Sequence, residues 1–160
     1  MLDIRPEDPE SPSARALIDA LSEALRALTG DAGRASFDPQ DLRDPDGLFV
    51  VARDARGTPV GCGGFRALPE RGPRVAELKR MYAVPRARAA GAGEPAGVGH
   101  AVLVALQQAA RARGHQVLCL STRRVNARAV AFYARHGYAA CAPWGRYVGR
   151  DASVCLEKRL

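Results

Sequence analysis

Apolar residues between positions 17 and 28 recur every three or four places, with Leu17, Ile18, Leu21, Leu25 and Leu28 on one helical face. Ser11 ahead of Pro12 supplies an N-cap with proline at the first helical position, and Gly30 follows where a helix stops. The pattern then changes. LFVVARD (48–54) and VGCGGFRAL (60–68) are apolar runs separated by Arg56-Gly57-Thr58-Pro59, which predicts a β-hairpin. PERGP (69–73) turns the chain into RVAELKRMYAV (74–84). Strict alternation there puts Val75, Glu77, Lys79 and Met81 on one face and Ala76, Leu78, Arg80 and Tyr82 on the other. LDIRP (2–6) is a short strand ahead of the helix. Residues 31–46, with Asp31, Asp38, Asp41, Asp44, Asp46 and two prolines, read as a loop with at most one helical turn.

The Gly-, Ala- and Arg-rich segment 86–99 has no strand character and opens onto a helix over 101–114. Its apolar stripe contains Val98, Ala101, Val102, Ala105, Leu106 and Ala109. HQVLCLST (115–122) is a compact strand. VNARAVAFYARHG (125–137) is an amphipathic helix with Val125, Ala129, Phe132 and Tyr133 inward, and YAACAP (138–143) and SVCLEKRL (153–160) are the final strands. The order predicts an α/β or α+β sheet with helices on its faces, in a single domain spanning residues 1–160.

Composition narrows the function classes. No apolar run approaches the roughly 20 residues a membrane helix needs. The acidic, proline-bearing start MLDIRPEDPE does not resemble a signal peptide, so a cytoplasmic location is expected. Cys62, Cys119, Cys141 and Cys155 are far apart, without a CxxC pair, and are expected to be reduced, buried thiols; no metal site is expected. The net charge of +7 invites a nucleic-acid reading. All cations other than Lys79 and Lys158 are arginines, scattered without an interleaved aromatic stripe, so nucleic acid is disfavoured as a partner.

A strand leading through a glycine-rich turn into a helix N-terminus is suited to a pyrophosphate, because exposed main-chain N–H groups and the helix dipole both favour the anion. Neither G-K-[ST] nor a G-x-G-x-x-G after an opening strand is present, so nucleotide folds fit poorly.

Residues 75–160 resemble the cofactor-binding core of the GNAT superfamily of N-acetyltransferases. The likeness runs through VAELKRMYAVP, the glycine loop, GVGHAVLVALQQAARARG, HQVLCLST and NARAVAFYARHGY; the first 74 residues fit in element order only. Arg88-Ala89-Ala90-Gly91-Ala92-Gly93 matches the loop signature [Q/R]-x-x-G-x-[G/A]. The chain departs from the family in following it with six more residues, Glu94-Pro95-Ala96-Gly97-Val98-Gly99, before a helix that already has the expected length. Two segments therefore compete for one phosphate site. One choice puts main-chain amides near Gly97, Val98, Gly99 and His100 on the pyrophosphate, with Arg88 reaching in. The other uses Gly91 and Gly93 and leaves Gly97 and Gly99 weakening the helix by about 1 kcal/mol each against Ala.

The resemblance implies a mixed, mostly antiparallel central sheet of about six or seven strands with helices on both faces. It implies acetyl-CoA as co-substrate, an amine acceptor and direct transfer in a ternary complex; a non-catalytic acyl-CoA-binding module of the same fold is the alternative. Main-chain groups of Met81, Tyr82, Ala83 and Val84 would pair with the pantetheine arm and the acetyl carbonyl. Asn126 and Tyr133 match N-x-x-A-x-x-F-Y, in which the Asn touches the cofactor and the Tyr protonates the leaving thiolate. A phenol, with an ordinary pKa of about 10, suits that task. Asn126 as a simple helix cap and Tyr133 as a core aromatic are the competing readings. Glu77 matches a position where relatives often carry the base, commonly acting through water, and a salt bridge to Lys79 or an arginine is its rival role. His100 and His136 are weaker base candidates. The loop from Trp144 to Tyr147 either floors the acceptor pocket or simply packs. Homodimers are frequent in the family.

Overall fold

The computed structural model describes residues 1–85 and 97–160. In chain order the elements are β1 (Asp3–Pro6), α1 (Pro12–Thr29), β2 (Gly47–Arg53), β3 (Pro59–Ala67), β4 (Val75–Ala83), α2 (Val98–Ala112), β5 (Val117–Arg123), α3 (Ala127–Arg135), β6 (Ala139–Ala140) and β7 (Ser153–Arg159). The capping residues read from the sequence act as expected in α1: Ser11 Oγ accepts from Ala14 N at 3.1 Å, and Gly30, at φ 78°, sends its N–H to Arg26 O. Residues 31–46 hold two 3-10 turns, Arg34–Ser36 and Pro39–Leu42, rather than at most one. Asp38 caps the second by accepting from Gln40 N at 2.9 Å, which is why a polar stretch still winds.

The seven strands form one sheet in the order β1-β2-β3-β4-β5-β7-β6. Every neighbouring pair is antiparallel except β4 with β5. β6 is shorter than the apolar pattern suggests, since it pairs over Ala139 and Ala140 alone and its run ends at Pro143, which lacks a donor, whereas β7 spans nearly all of the expected run.

Helices cover both faces. On one, α2 and α3 lie over Phe65, Leu78, Leu118 and Leu120, with Leu103, Leu106 and Tyr133 packed among them. On the other, α1 brings Ala14, Leu17 and Ile18 against Phe49, Val51 and Cys62. A third cluster gathers Leu68, Cys119, Cys155 and Trp144. Fully buried leucines such as Leu103, Leu106 and Leu118 contribute roughly 1.5–3 kcal/mol each. Cys62, Cys119 and Cys155 are buried, Cys141 is half-buried, and all four thiols are free. Burial pushes the Cys62 and Cys119 thiols up to about 12, so neither is a nucleophile.

The predicted alternation of β4 breaks at one residue. Gly64 pairs with Lys79 and Cys62 with Tyr82, so Gly63 faces two residues, Arg80 and Met81. Arg80 takes up the excess at φ 56°, a rare backbone state for a side-chain-bearing residue. Lys79, Arg80 and Tyr82 consequently share the α1 side, whereas Met81 joins Ala76 and Leu78 on the α2 side. Alternation within one strand cannot reveal this, because the bulge is set by register with the partner.

Candidate active site

β4 and β5 pair only at Val75 with Val117, Ala76 with Leu118 and Glu77 with Cys119. Beyond Glu77 the strands part, and the sheet splits open on the side where α2 and α3 begin. A cavity of about 200 Å³ occupies the split, lined by residues 78–81 on β4, residues 120–123 on β5 and Tyr147. A larger cavity of about 700 Å³ continues from Met81, Tyr82 and Ala83 to residues 97–100 and along α3 to His136. Leu21, Leu25, Met81, Asn126, Ala129 and Tyr133 line both, so the two form one bent cleft with Tyr133 at the bend.

At the far end stands the start of α2. Its first internal bond runs from Ala101 N to Gly97 O, so the N–H groups of Val98, Gly99 and His100 have no partner within the helix. Gly97 offers no side-chain cap. Three donors and the positive end of a helix dipole thus border the larger cavity, suited to a phosphate. Val98 is only 7% exposed and anchors this turn in the core.

His100 and His136 form an unforeseen pair, with His100 Nδ1 2.9 Å from His136 Nε2. His136 Nδ1 lies 2.6 Å from the Phe132 carbonyl and must donate there, so in the neutral pair His136 Nε2 accepts from His100. The two residues stand 36 positions apart, and spacing alone gave no signal of contact.

Tyr133 is 7% exposed and packs edge-on against Phe132 and Tyr138. Burial alone pushes its phenol above the ordinary range, which keeps the hydroxyl protonated. That hydroxyl makes no hydrogen bond to another described residue. Asn126 is the N-cap of α3, its Oδ1 accepting from Ala129 N at 3.2 Å, and it also lines the cleft, so the two readings of this residue coincide. Val125 is 59% exposed at the rim of the larger cavity, contrary to the inward position expected of it, because the helix begins only after the Asn126 cap; Leu28, 46% exposed, is likewise at the rim rather than in the core.

Val84 lies off the lining, and its N–H donates to Val60 O at 2.9 Å. Glu77 is 1% exposed and also off the lining. Its Oε1 accepts from Arg66 Nε at 2.8 Å and lies 3.3 Å from Lys79 Nζ, while Oε2 is buried without a partner among the described residues. Arg88, Gly91 and Gly93 fall outside the described residues, as does Glu94.

Arg80 sits where the bulge turns it beneath α1, reaching Gly33 O at 2.8 Å, Ala32 O at 3.3 Å and Ser22 Oγ at 3.5 Å. Burial first, then the Arg34 charge, hold it below its ordinary value. Lys79 donates to Ser36 O at 2.9 Å and Tyr147 Oη at 3.2 Å. Of the two ends of the 144–147 loop, Tyr147 faces the smaller cavity, whereas Trp144 belongs to the core.

A seven-stranded sheet split between its parallel strands, with a helix N-terminus beside the split, frames the cleft. The sequence profile of the acetyltransferase (GNAT) family matches residues 14–138, and the chain belongs to that family. IAA acetyltransferase of Azospirillum brasilense is 36% identical over 155 residues, which is 94% of this chain and 95% of that protein. A Klebsiella pneumoniae structure named as an acyl-CoA N-acyltransferase superposes with TM-score 0.79 at 29% identity, covering 100% of this chain and 98% of the other. The PaiA N-acetyltransferase of Thermoplasma acidophilum, solved with coenzyme A, has TM-score 0.70 at 20% identity over 100% of this chain and 99% of its own, a likeness of fold. Among the described residues no helix is long and apolar enough to cross a membrane.

Proposed function

We propose that the protein is an acetyl-CoA-dependent N-acetyltransferase that acetylates a primary amine of a small molecule or peptide, by direct transfer in a ternary complex. The observation that carries this reading is Tyr133, a buried side chain that lines both cavities and whose phenol burial keeps protonated. Acetyl-CoA fits the larger arm, its diphosphate against the first-turn N–H groups of α2 and its thioester toward Met81. The amine fits the smaller arm. In the reaction the thioester C–S bond breaks and an amide C–N bond forms; the amine gives up a proton and Tyr133 donates one to the departing thiolate.

Glu77 is the residue we assign to receive the amine proton, through water at its unpartnered Oε2; the role its geometry displays is that of counter-ion to Arg66 and Lys79. Four free thiols accord with a reducing, cytoplasmic workplace.

Incubating the purified protein with acetyl-CoA and a panel of amines tests the reading, with free thiol and acetylated product both measured and coenzyme A affinity determined by calorimetry. Acetylated product in step with thiol release is expected. Tight coenzyme A binding with no product from any amine would replace the enzyme with an acyl-CoA sensor.

A further inference from the structure

Charge in the smaller cavity is one-sided. Among the described residues its lining holds Lys79, Arg80, Arg123, Arg146 and Arg150 against a single acid, Asp31. The nearby acids do not balance them. Asp31 Oδ2 forms a long ion pair with Arg123 Nη1 at 3.7 Å, too far for a hydrogen bond, and Glu77 is already shared by Arg66 and Lys79. Two other aspartates of the acidic loop are engaged elsewhere, Asp38 capping a turn and Asp44 pairing with Arg113.

Arg80 decides the matter. Only 8% exposed, it meets three neutral oxygens, from Ser22, Ala32 and Gly33, and lies 4.8 Å from the Phe37 ring centroid; no carboxylate pairs with it directly among the described residues, and Asp31 acts on it only through longer-range attraction. Across the cavity Arg123 Nε is buried and has no partner among those residues. A buried guanidinium without counter-charge is costly, and a left-over buried donor adds to the cost. Both residues line the cavity, where an anion would offset that cost.

We propose, resting on the acetyl-transfer reading of this cleft, that the acceptor is an amine carrying its own carboxylate, a free amino acid or close analogue. The carboxylate lies against Arg80 and Arg123, and the amine points toward Tyr133. Guanidinium groups suit this partner because their fixed fork of donors matches a carboxylate. The same cations repel a polyamine or a lysine side chain, and they favour the neutral form of the bound amine, which is the form that attacks. Size agrees: at about 200 Å³ the cavity is smaller than the roughly 300–1,000 Å³ of sites that hold larger ligands.

The test is calorimetry on the full chain saturated with coenzyme A, titrated with amino acids, their carboxamides and spermidine, alongside product detection with acetyl-CoA. Acids are expected to bind about tenfold or more tighter than the matching amides, with spermidine weakest. Arg123→Gln should shrink the acid-over-amide ratio, and Arg123→Lys should retain part of it. Arg146→Gln, on a different segment, gives a second reading should the first variant fold poorly. Equal binding of acids and amides, or an unchanged ratio in both glutamine variants, overturns the assignment. Selective binding of acids without acetylated product keeps the carboxylate site but removes the transfer reading, and with it the acceptor role. Acetylation of spermidine or amides in preference to acids does the reverse.

Discussion

Tyr133→Phe separates catalysis from architecture because the structure lets the hydroxyl be removed with little collateral damage. The ring is packed edge-on against Phe132 at 5.1 Å and Tyr138 at 5.5 Å between centroids, and phenylalanine keeps both contacts. The hydroxyl bonds to no described residue, so no orphaned partner is created, and stability should move by no more than about 1 kcal/mol. The chemical loss is larger. A positioned general acid contributes about 10²–10⁴-fold, and at 1.36 kcal/mol per tenfold that is roughly 2.7–5.4 kcal/mol on the barrier. The assay is steady-state thiol release at saturating acetyl-CoA and acceptor, with coenzyme A affinity by calorimetry and a thermal melt on the same preparation. A fall in kcat of about 100-fold or more is expected, with affinity and Tm close to those of the parent. Unchanged kcat would falsify the acid role. A drop in kcat matched by lost affinity or a lowered Tm would make Tyr133 a packing residue instead.

Two further outcomes follow from the geometry. A Cβ on Gly63, opposite the β4 bulge, would stand 2.4 Å from Met81 Sδ, 3.1 Å from Leu106 and 3.2 Å from Val102; Gly63→Ala should cost about 1–3 kcal/mol by overpacking. It should also raise the KM for acetyl-CoA by pushing Met81 into the cleft, whereas an unaltered urea midpoint and KM would mean that α2 gives way freely. His115 packs edge-on against Phe65, with Nδ1 buried and unpartnered among the described residues. Burial, and then the Arg113 charge, hold its pKa below the ordinary 6.5. Between that lowered value and 6.5 the unfolded chain binds a proton that the folded one refuses. The neutral ring's contribution is therefore complete above 6.5 and is lost as pH falls through the folded value. The stability difference between wild type and His115→Gln should shrink as pH is lowered through that window, and a flat difference in urea titrations would refute the linkage.

What the amino-acid order determined by itself is whatever a few neighbouring residues settle. The Ser11 cap, the Gly30 stop, the Asn126 cap and the apolar runs of β2, β3 and β5 were legible because each depends on bonds or side-chain directions within about one turn or strand. The pattern holding Asn126 and Tyr133 was visible for a similar reason, as a compact run of sequence, whereas residues 86–96 of the glycine segment lie outside the described residues. Tertiary structure decided the rest. The bulge that turns Arg80 under α1 exists only because Gly63 on another strand faces two residues. His100 and His136 meet because α2 and α3 share one face of the sheet. The clearest case is charge: Lys79, Arg80, Arg123, Arg146 and Arg150 read along the chain as scattered cations. The parting of β4 from β5 and the return of the 145–150 segment bring all five around one small cavity. Coulomb forces depend on distance through space, and distance through space is set only once the sheet has formed.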